Sequence, residues 1–312
     1  MKRLMFCAVL LVAAPVWAVQ QYAVVGMVLK VDQAHKAFTV SCQSIPGYME
    51  AMIMPFEVRE AKELDGLKPG MAVEFTLAVE KESSYAEHVR IQRYESAEQD
   101  PLTARRLKFL NSIRASFASS AKALAIGQSV PDFTLIDQVR QRISLGQFSG
   151  KVITINFIYT SCALPNFCFR MSNNFGVLQR RFKAQLGRDL ELLTVTFDPQ
   201  RDQPEVLARY AQTWKADPQT WHFLTGTVPE VRRVTDLFGM DFFPEEGLMS
   251  HSLHTAVIDR RGRLVANIEG NQFTADQLGD LVQTVLDQPR SGTAKTPAHA
   301  AGTAGPGLSS GK

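Results

Sequence analysis

The chain has 312 residues, of which 45% are hydrophobic and 21% are charged, and its formal net charge is +3. This length gives room for about two domains of ~100–200 residues, and the composition excludes a fibrous or disordered protein. The small net charge and the lack of a basic cluster with interleaved aromatic residues argue against nucleic-acid binding.

The first 18 residues have the pattern of an export signal. Lys2 and Arg3 precede an apolar core over residues 4–16, and Ala18 supplies a small residue for cleavage. An uncleaved membrane anchor is the alternative, but this core is shorter than the roughly 20 apolar residues that cross a bilayer. We therefore predict export to the periplasm and cleavage, which removes Cys7, with loose membrane association as a lesser expectation.

A small all-β domain is predicted over residues 22–95. Short runs rich in Val, Phe and Thr are separated by turn sequences, as in a small barrel of the OB kind. The predicted strands cover residues 22–31, 37–40, 55–58, 71–79 and 87–92.

Three methionines lie within six residues of this domain. On a strand, Met52 and Met54 point to the same face because side chains alternate. Thioethers bind Cu(I) or Ag(I) well and hard ions poorly. The alternative is that these methionines only fill a small core.

The stretch 42–56 resembles the periplasmic copper-binding domain of CusF, over roughly residues 22–92. The resemblance implies a Cu(I) site in which Met52 and Met54 are ligands and Cys42 occupies the position of the family's histidine. The aromatic cap of the family falls near Tyr48 or Met49. Two alternatives are a site that lacks its third ligand and a Cys42 that pairs transiently with another cysteine.

A helical connector, an α/β domain and a disordered tail are predicted in that order over residues 100–125, 126–288 and 289–312. Leucine, isoleucine and phenylalanine recur at helical spacing in the connector. Alternating strands and helices then indicate an α/β layer fold. Predicted strands cover 151–159, 190–197, 255–259 and 263–269, and predicted helices cover 167–186, 204–215, 228–238 and 275–286. The tail is rich in Gly, Ala, Ser, Thr and Pro.

Two cysteines lie where a buried strand ends and a helix begins. Cys162 and Cys168 are separated by five residues, and the third mature cysteine is Cys42. Unpaired N–H groups and the positive end of a helix favour a thiolate, the form that attacks disulfides or binds soft metals. The alternative is one buried thiol and one incidental thiol.

Three motifs resemble the Sco/SenC copper-chaperone family: residues 157–171, residues 197–205, and His251 with Ser252 shortly before a strand. The resemblance covers about residues 126–286 and implies a thioredoxin-like fold. It also implies copper binding by Cys162, Cys168 and His251. The sequence departs from the family in having five residues between the cysteines, where three are usual.

The chemistry of these residues supports copper independently, because two thiolates and an imidazole form a soft site for Cu(I) that also accepts Cu(II). His254 would face away from His251 on a strand, so we expect it to be a surface or packing residue. Met249 is expected to pack. Asp198 resembles the family's acidic residue near the site, with a capping or turn role as the alternative.

The sequence thus predicts a periplasmic copper metallochaperone with two soft sites. Copper would pass between them by ligand exchange, and family resemblance implies that the recipient is a copper-accepting subunit of a respiratory oxidase. One alternative is a thiol-disulfide oxidoreductase in which Cys162 attacks and Cys168 resolves. Another is a copper sensor or resistance buffer.

Overall fold

The computed structural model describes residues 20–81, 83–92, 123–162, 165–245 and 248–289. The predicted export signal, the predicted tail beyond residue 289 and nearly all of the predicted connector lie outside these ranges. Among the helices of the described ranges, none is both long enough and apolar enough to cross a membrane.

The N-terminal region is a five-stranded antiparallel sheet with strand order β3-β2-β1-β4-β5. Its inward side chains alternate with outward ones and bury a cluster of Phe38, Phe56 and Phe75, whose rings lie 4.8–6.0 Å apart. The edge strands approach each other at a bridge between Val58 and Ala86, which leaves a partly open barrel and confirms the all-β prediction. The strands are β1 (Gln20–Asp32), β2 (Ala37–Cys42), β3 (Met52–Glu57), β4 (Ala72–Val79) and β5 (Ser84–Ile91).

The C-terminal region is built on a second five-stranded sheet with strand order β10-β9-β8-β13-β14. Strands β8, β9 and β10 are parallel, and β13 is antiparallel to both of its neighbours. Every residue of β8, β9, β10 and β13 is buried, as expected for strands covered on both faces. These four strands are β8 (Val152–Ile158), β9 (Leu190–Thr196), β10 (Trp221–Leu224) and β13 (His254–Ile258), and β14 is Leu264–Glu269.

In the described residues, four α-helices accompany these strands, and the last of them follows β14: α1 (Arg170–Arg181), α2 (Pro204–Thr213), α3 (Val228–Leu237) and α4 (Ala275–Leu286). Capping boxes begin α3 at Thr227 and α4 at Thr274, and Pro204 begins α2. The helix predicted over 167–186 begins later and ends earlier. A π-turn at Pro165–Phe169 leads directly into it, and the non-helical backbone of Phe167 kinks the chain within that turn.

Parallel strands joined by helices, followed by an antiparallel hairpin and a closing helix, form a thioredoxin-like fold, as the sequence analysis predicted. Two short hairpins were not predicted, since strands of three or four residues have too little periodicity to identify. They are β6 (Thr134–Ile136) with β7 (Arg142–Ser144), and β11 (Phe242–Glu245) with β12 (Leu248–His251). The second hairpin carries the predicted ligand His251.

The β-barrel packs against α4 and β14 of the thioredoxin-like region. The Ser41 hydroxyl donates to the Asp280 carboxylate at 2.7 Å, and the Gln277 side-chain amide donates to the Ser41 carbonyl at 3.2 Å. Arg181 of α1 forms an ion pair with the same Asp280 at 2.7 Å. The buried side chain of Met27 on β1 joins the larger hydrophobic core. The two regions therefore share a packed interface.

We predict that Gly70→Ala weakens this interface. Gly70 has φ +87°, and an added Cβ would lie 2.9 Å from the Ala266 Cβ and 3.0 Å from the Ile268 Cγ1. Such overpacking typically costs about 1–3 kcal/mol, and this loss should appear as a lower free energy of unfolding in urea. Gly47→Ala is the matched control, because Gly47 also has positive φ but no atom within 4 Å of an added Cβ. Equal losses in the two variants would contradict the prediction.

Candidate metal centres

The two C-terminal cysteines lie side by side after strand β8. Cys162 is half-buried in the loop that follows the strand, and Cys168 is buried within the π-turn before α1. Their thiols are hydrogen-bonded to each other, and no disulfide joins any of the cysteines in the described ranges. The five intervening residues therefore still allow the two sulfurs to meet.

The environment of Cys168 differs from the sequence-based expectation of a stabilised thiolate. Burial, followed by the hydrogen bond that the Cys168 thiol donates to Cys162, raises the pKa of Cys168 well above its ordinary value. The physical reason is that Cys168 lies in the apolar π-turn, before the helix that begins at Arg170. In the metal-free protein Cys168 is a protonated thiol, so a soft metal must displace its proton.

Tyr159 connects the cysteine loop to the hairpin that carries His251. Its hydroxyl hydrogen-bonds to the Cys162 thiol, and the backbone N–H of Met249 on β12 donates to the same oxygen. Burial and the neighbouring Cys162 raise the pKa of Tyr159. The sequence analysis did not identify this residue, although it ends an apolar strand next to the cysteine motif.

His251 ends β12 inside a group of aromatic side chains. Its ring centroid lies 4.8 Å from that of Phe197, 5.7 Å from that of Tyr159 and 6.0 Å from that of Phe167. The Nδ1 atom is 2.9 Å from the Ser252 carbonyl oxygen, and because a carbonyl can only accept, Nδ1 carries the hydrogen. In the neutral imidazole, Nε2 is then the nitrogen with a lone pair for a metal.

The structure brings the two cysteines together and places the His251 ring against the rings of Tyr159 and Phe167. Within the described part of the chain, however, no three His, Cys, Asp or Glu side chains lie close enough to hold one metal ion. The assignment of Cys162, Cys168 and His251 as a ligand set stays a prediction.

Two acidic residues near this site have different roles. Asp198 forms an ion pair with Arg201 at 3.2 Å, and its carbonyl accepts hydrogen bonds within the same turn, which fits the turn role considered for it. The residue that reaches the cysteine loop is Asp202, which accepts from the Thr160 N–H at 3.0 Å and from the hydroxyls of Thr160 and Thr196. The sequence analysis quoted Asp202 within a motif and assigned it no role.

His254 and Met249 pack as the sequence analysis expected. His254 is buried on β13 and its Nδ1 lies 3.1 Å from the side-chain oxygen of Asn267. Met249 is half-buried and packs against the larger core.

In the barrel, the three predicted ligands lie on one face of the β2–β3 ladder. Cys42 is the register partner of Met52, and Val40 is the register partner of Met54. Directly opposed residues of an antiparallel pair share a face, so the thiol and both thioethers face the same side. Cys42 is buried and Met54 half-buried, whereas Met52 is 47% exposed.

Burial raises the pKa of Cys42 to about 12, so this thiol is protonated in the metal-free protein. Its Sγ lies 3.8 Å from the carbonyl oxygen of Val40. A soft metal that binds Cys42 must therefore displace a proton.

The predicted aromatic cap has one candidate on the surface and one in the core. The exposed ring of Tyr48 stacks on Tyr22 with centroids 4.1 Å apart. Met49 packs against the barrel core, and its N–H donates to Ile45 in the intervening turn. Of these two candidates, only Tyr48 is an exposed aromatic residue.

Both donor sets fit copper by their chemistry. Two adjacent thiols with a nearby imidazole, and one thiol with two thioethers, are soft ligands suited to Cu(I). Neither set contains a carboxylate, which a hard cation would prefer.

Differences in burial predict an order of thiol reactivity. In the native metal-free protein we expect iodoacetamide to modify Cys162 at least about tenfold faster than Cys168 or Cys42, because access and thiolate fraction both control the rate. A time course followed by peptide mass spectrometry measures this order, and labelling in urea is the control in which all three rates converge. Equal native rates would contradict the described burial.

Acid should destabilise the fold through His254. Burial lowers the pKa of His254 below its unfolded value of about 6.5, so the unfolded chain takes up the proton first as the pH falls. The contribution of His254 to the free energy of unfolding is therefore fully present above pH 7 and decreases as the pH falls below 6.5. Between pH 7.5 and 5.5, wild type should lose more unfolding free energy than His254→Gln, by at most about 1.4 kcal/mol, the limit that the unfolded pKa sets.

The control for that measurement is His35→Gln at an exposed position. A wild-type protein that loses no more stability than His254→Gln on acidification would disprove the prediction.

Comparisons with known proteins agree with the family predicted for each of the two regions. Residues 122–287 match the family model SCO1/SenC, and residues 21–92 match the model of the copper binding periplasmic protein CusF. The match to a copper-binding family confirms the prediction that the metal is copper.

A SCO1 protein homolog of Bacillus subtilis is 30% identical over 101 residues, which cover 32% of this chain and 51% of that protein. Two solved structures also match: BsSco, described as a member of the Sco family of cytochrome c oxidase assembly proteins, and yeast Sco1 with copper bound. The first is 23% identical, covering 54% of this chain and 98% of BsSco with a TM-score of 0.46. The second is 24% identical, covering 56% of this chain and 92% of yeast Sco1 with a TM-score of 0.45.

The chain thus spans about half the length of the Bacillus subtilis relative. The SCO1/SenC model itself extends over more than half of the 312 residues. The chain belongs to the SCO1/SenC family.

Proposed function

We propose that this protein is a periplasmic copper metallochaperone that binds copper through Cys162, Cys168 and His251. The observation that carries the proposal is the hydrogen-bonded thiol pair, together with a His251 ring that contacts Tyr159, the hydrogen-bond partner of Cys162. Copper is the cargo of this site.

Each residue of the site has a distinct part in this function. Cys162 is half-buried and is the first thiol that incoming copper meets, whereas the buried Cys168 completes the pair. His251 supplies an imidazole from the β11–β12 hairpin. The rings of Tyr159, Phe167 and Phe197 limit the access of water, which protects Cu(I) from oxidation and solvent ligands.

The barrel supplies a second soft site through Cys42, Met52 and Met54. The exposed thioether of Met52 provides an entry point for copper, because it can accept the metal from another carrier without unfolding of the barrel. Copper then passes between sites of similar ligand softness by ligand exchange.

The proposed compartment is the periplasm and the proposed recipient is the copper centre of a respiratory oxidase subunit. The compartment is supported by the match to a periplasmic copper-binding family and by the export-type pattern of the first 18 residues. The recipient is the one that the resemblance to the SCO1/SenC family implies, and the match to that family model supports it.

A second candidate function is thiol-disulfide exchange, favoured by the adjacent thiols of unequal burial. Cys162 would attack a partner disulfide and form a mixed disulfide, and the Cys168 thiolate would then attack Cys162 and release the reduced partner. Two electrons pass from the cysteine pair to the partner, which leaves a Cys162–Cys168 disulfide. A copper-resistance buffer without a dedicated recipient is the remaining alternative.

Copper stoichiometry after anaerobic Cu(I) loading and desalting tests the proposal. We expect about two coppers per wild-type chain, because two soft donor sets are present. About one copper should be lost in Cys42→Ser with Met52→Leu, and about one in Cys162→Ser with Cys168→Ser. His251→Ala should weaken retention at the second of these sites while leaving disulfide exchange intact.

Met71→Leu is the matched control for the barrel variant. Met71 lies in the same domain but on neither β2 nor β3, and so outside the methionine face, which is the side of those two strands that carries Met52 and Met54. Wild-type protein that retains no copper would rule out the metallochaperone and leave the disulfide-exchange enzyme as the leading function. A His251→Ala variant that retains copper as well as wild type does but loses disulfide exchange would also count against the metallochaperone.

A further inference from the structure

A cation and two phenylalanine rings form a continuous series of contacts that ends at His251. The Arg232 guanidinium of α3 lies over the Phe242 ring, with 3.6 Å between Cζ and the ring centroid. The Phe242 ring centroid is 5.4 Å from that of Phe197, which lies 4.8 Å from the His251 ring.

The same arginine also contacts the hairpin backbone. The Nη2 atom of Arg232 donates to the Phe242 carbonyl at 3.3 Å. Phe242 begins β11 and is the register partner of His251, which ends β12. Arg232 therefore contacts both the ring and the backbone of Phe242, the residue that lies directly across the ladder from His251.

We propose that Arg232 is a positioning residue that sets the place of the His251 imidazole relative to the cysteine pair. The proposal deepens the proposed function, because it names what controls the third ligand of that copper site. Arg232 acts through Phe242 and Phe197 and does not itself touch the thiols.

The hairpin needs such an anchor because it is short and lies outside the five-stranded sheet. It forms its own two-stranded sheet of four residues per strand. An isolated two-stranded hairpin is only marginally stable, so contacts to the rest of the domain determine where it lies. Tyr159 holds β12 through the Met249 N–H, and Arg232 holds β11 through Phe242.

The base of the hairpin is closed by a reciprocal pair of hydrogen bonds. The Ser252 N–H donates to the Asp241 carbonyl at 2.8 Å, and the Asp241 N–H donates to the Ser252 hydroxyl at 2.9 Å. Since Ser252 also accepts from the His251 Nδ1, a displacement of β11 at Phe242 is transmitted to the ring that would bind copper.

Arg232→Met tests the role of the guanidinium, because methionine retains an apolar stem and removes both the cation–π contact and the hydrogen bond. Arg232→Lys retains the charge without the planar stacking group, so it should rescue the defect only in part. Arg233→Met is the matched control on the adjacent, exposed position of the same helix.

The first measurement uses the metal-free protein. Hydrogen exchange followed by mass spectrometry should show faster exchange in the peptide containing residues 242–251 of Arg232→Met, with no change in Arg233→Met. Unchanged exchange in that peptide would overturn the proposal whether or not the protein binds copper.

The second measurement is the rate of Cu(I) release to a chelator. Arg232→Met should release copper from the cysteine site about tenfold faster, the effect expected for losing a residue that orients a ligand. In a His251→Ala background the same change should have no further effect, because its action passes through the imidazole. Equal acceleration in both backgrounds would mean that Arg232 supports the domain generally, and would overturn the proposal.

The two measurements separate failure of this inference from failure of the proposed function. Wild-type protein that holds no copper contradicts the metallochaperone, while exchange of the hairpin still decides the positioning role. Should Arg232→Met fail to fold, the comparison of Arg232→Lys with wild type in both backgrounds gives the same decision.

Discussion

The buried carboxylate of Asp202 holds the end of strand β8, and the cysteine loop depends on that anchor. Burial raises the pKa of Asp202, and hydrogen bonds from Thr160 and Thr196 oppose that effect. A buried carboxylate must be hydrogen-bonded, so moving Thr160 away from Asp202 would leave the carboxylate unsatisfied and would cost free energy. Because Cys162 follows two residues after Thr160, these hydrogen bonds help to fix the backbone from which the Cys162 side chain projects.

The two proposed soft sites would obtain their ligands in different ways. In the barrel, Cys42 and Met52 are opposed across one ladder, so the register of two neighbouring strands brings the donors together. In the thioredoxin-like region, the donors come from a loop, a π-turn and a hairpin that are far apart in sequence. The first site is therefore built into a sheet, whereas the second depends on how a small hairpin is held against the domain.

Strand β2 separates the side of the barrel that packs against α4 from the face that carries the predicted ligands Cys42, Met52 and Met54. Ser41 points to α4, where its hydroxyl and carbonyl bond to Asp280 and Gln277. Since successive strand residues alternate, Cys42 points to the opposite side, into the barrel. Packing of the two regions consequently leaves the methionine face unobstructed by α4, and Met52 stays exposed.

The sequence by itself determined the two fold classes, the buried strands and the shared face of Met52 and Met54, because these follow from local periodicity. It also identified Cys162 and Cys168 from their position at a strand–helix junction. Only the tertiary structure decided that Asp202 anchors the loop, that Cys168 is a buried thiol with a raised pKa, and that aromatic rings surround His251. These features arise from contacts between segments tens of residues apart, whose burial and hydrogen bonding have no local signature in the chain.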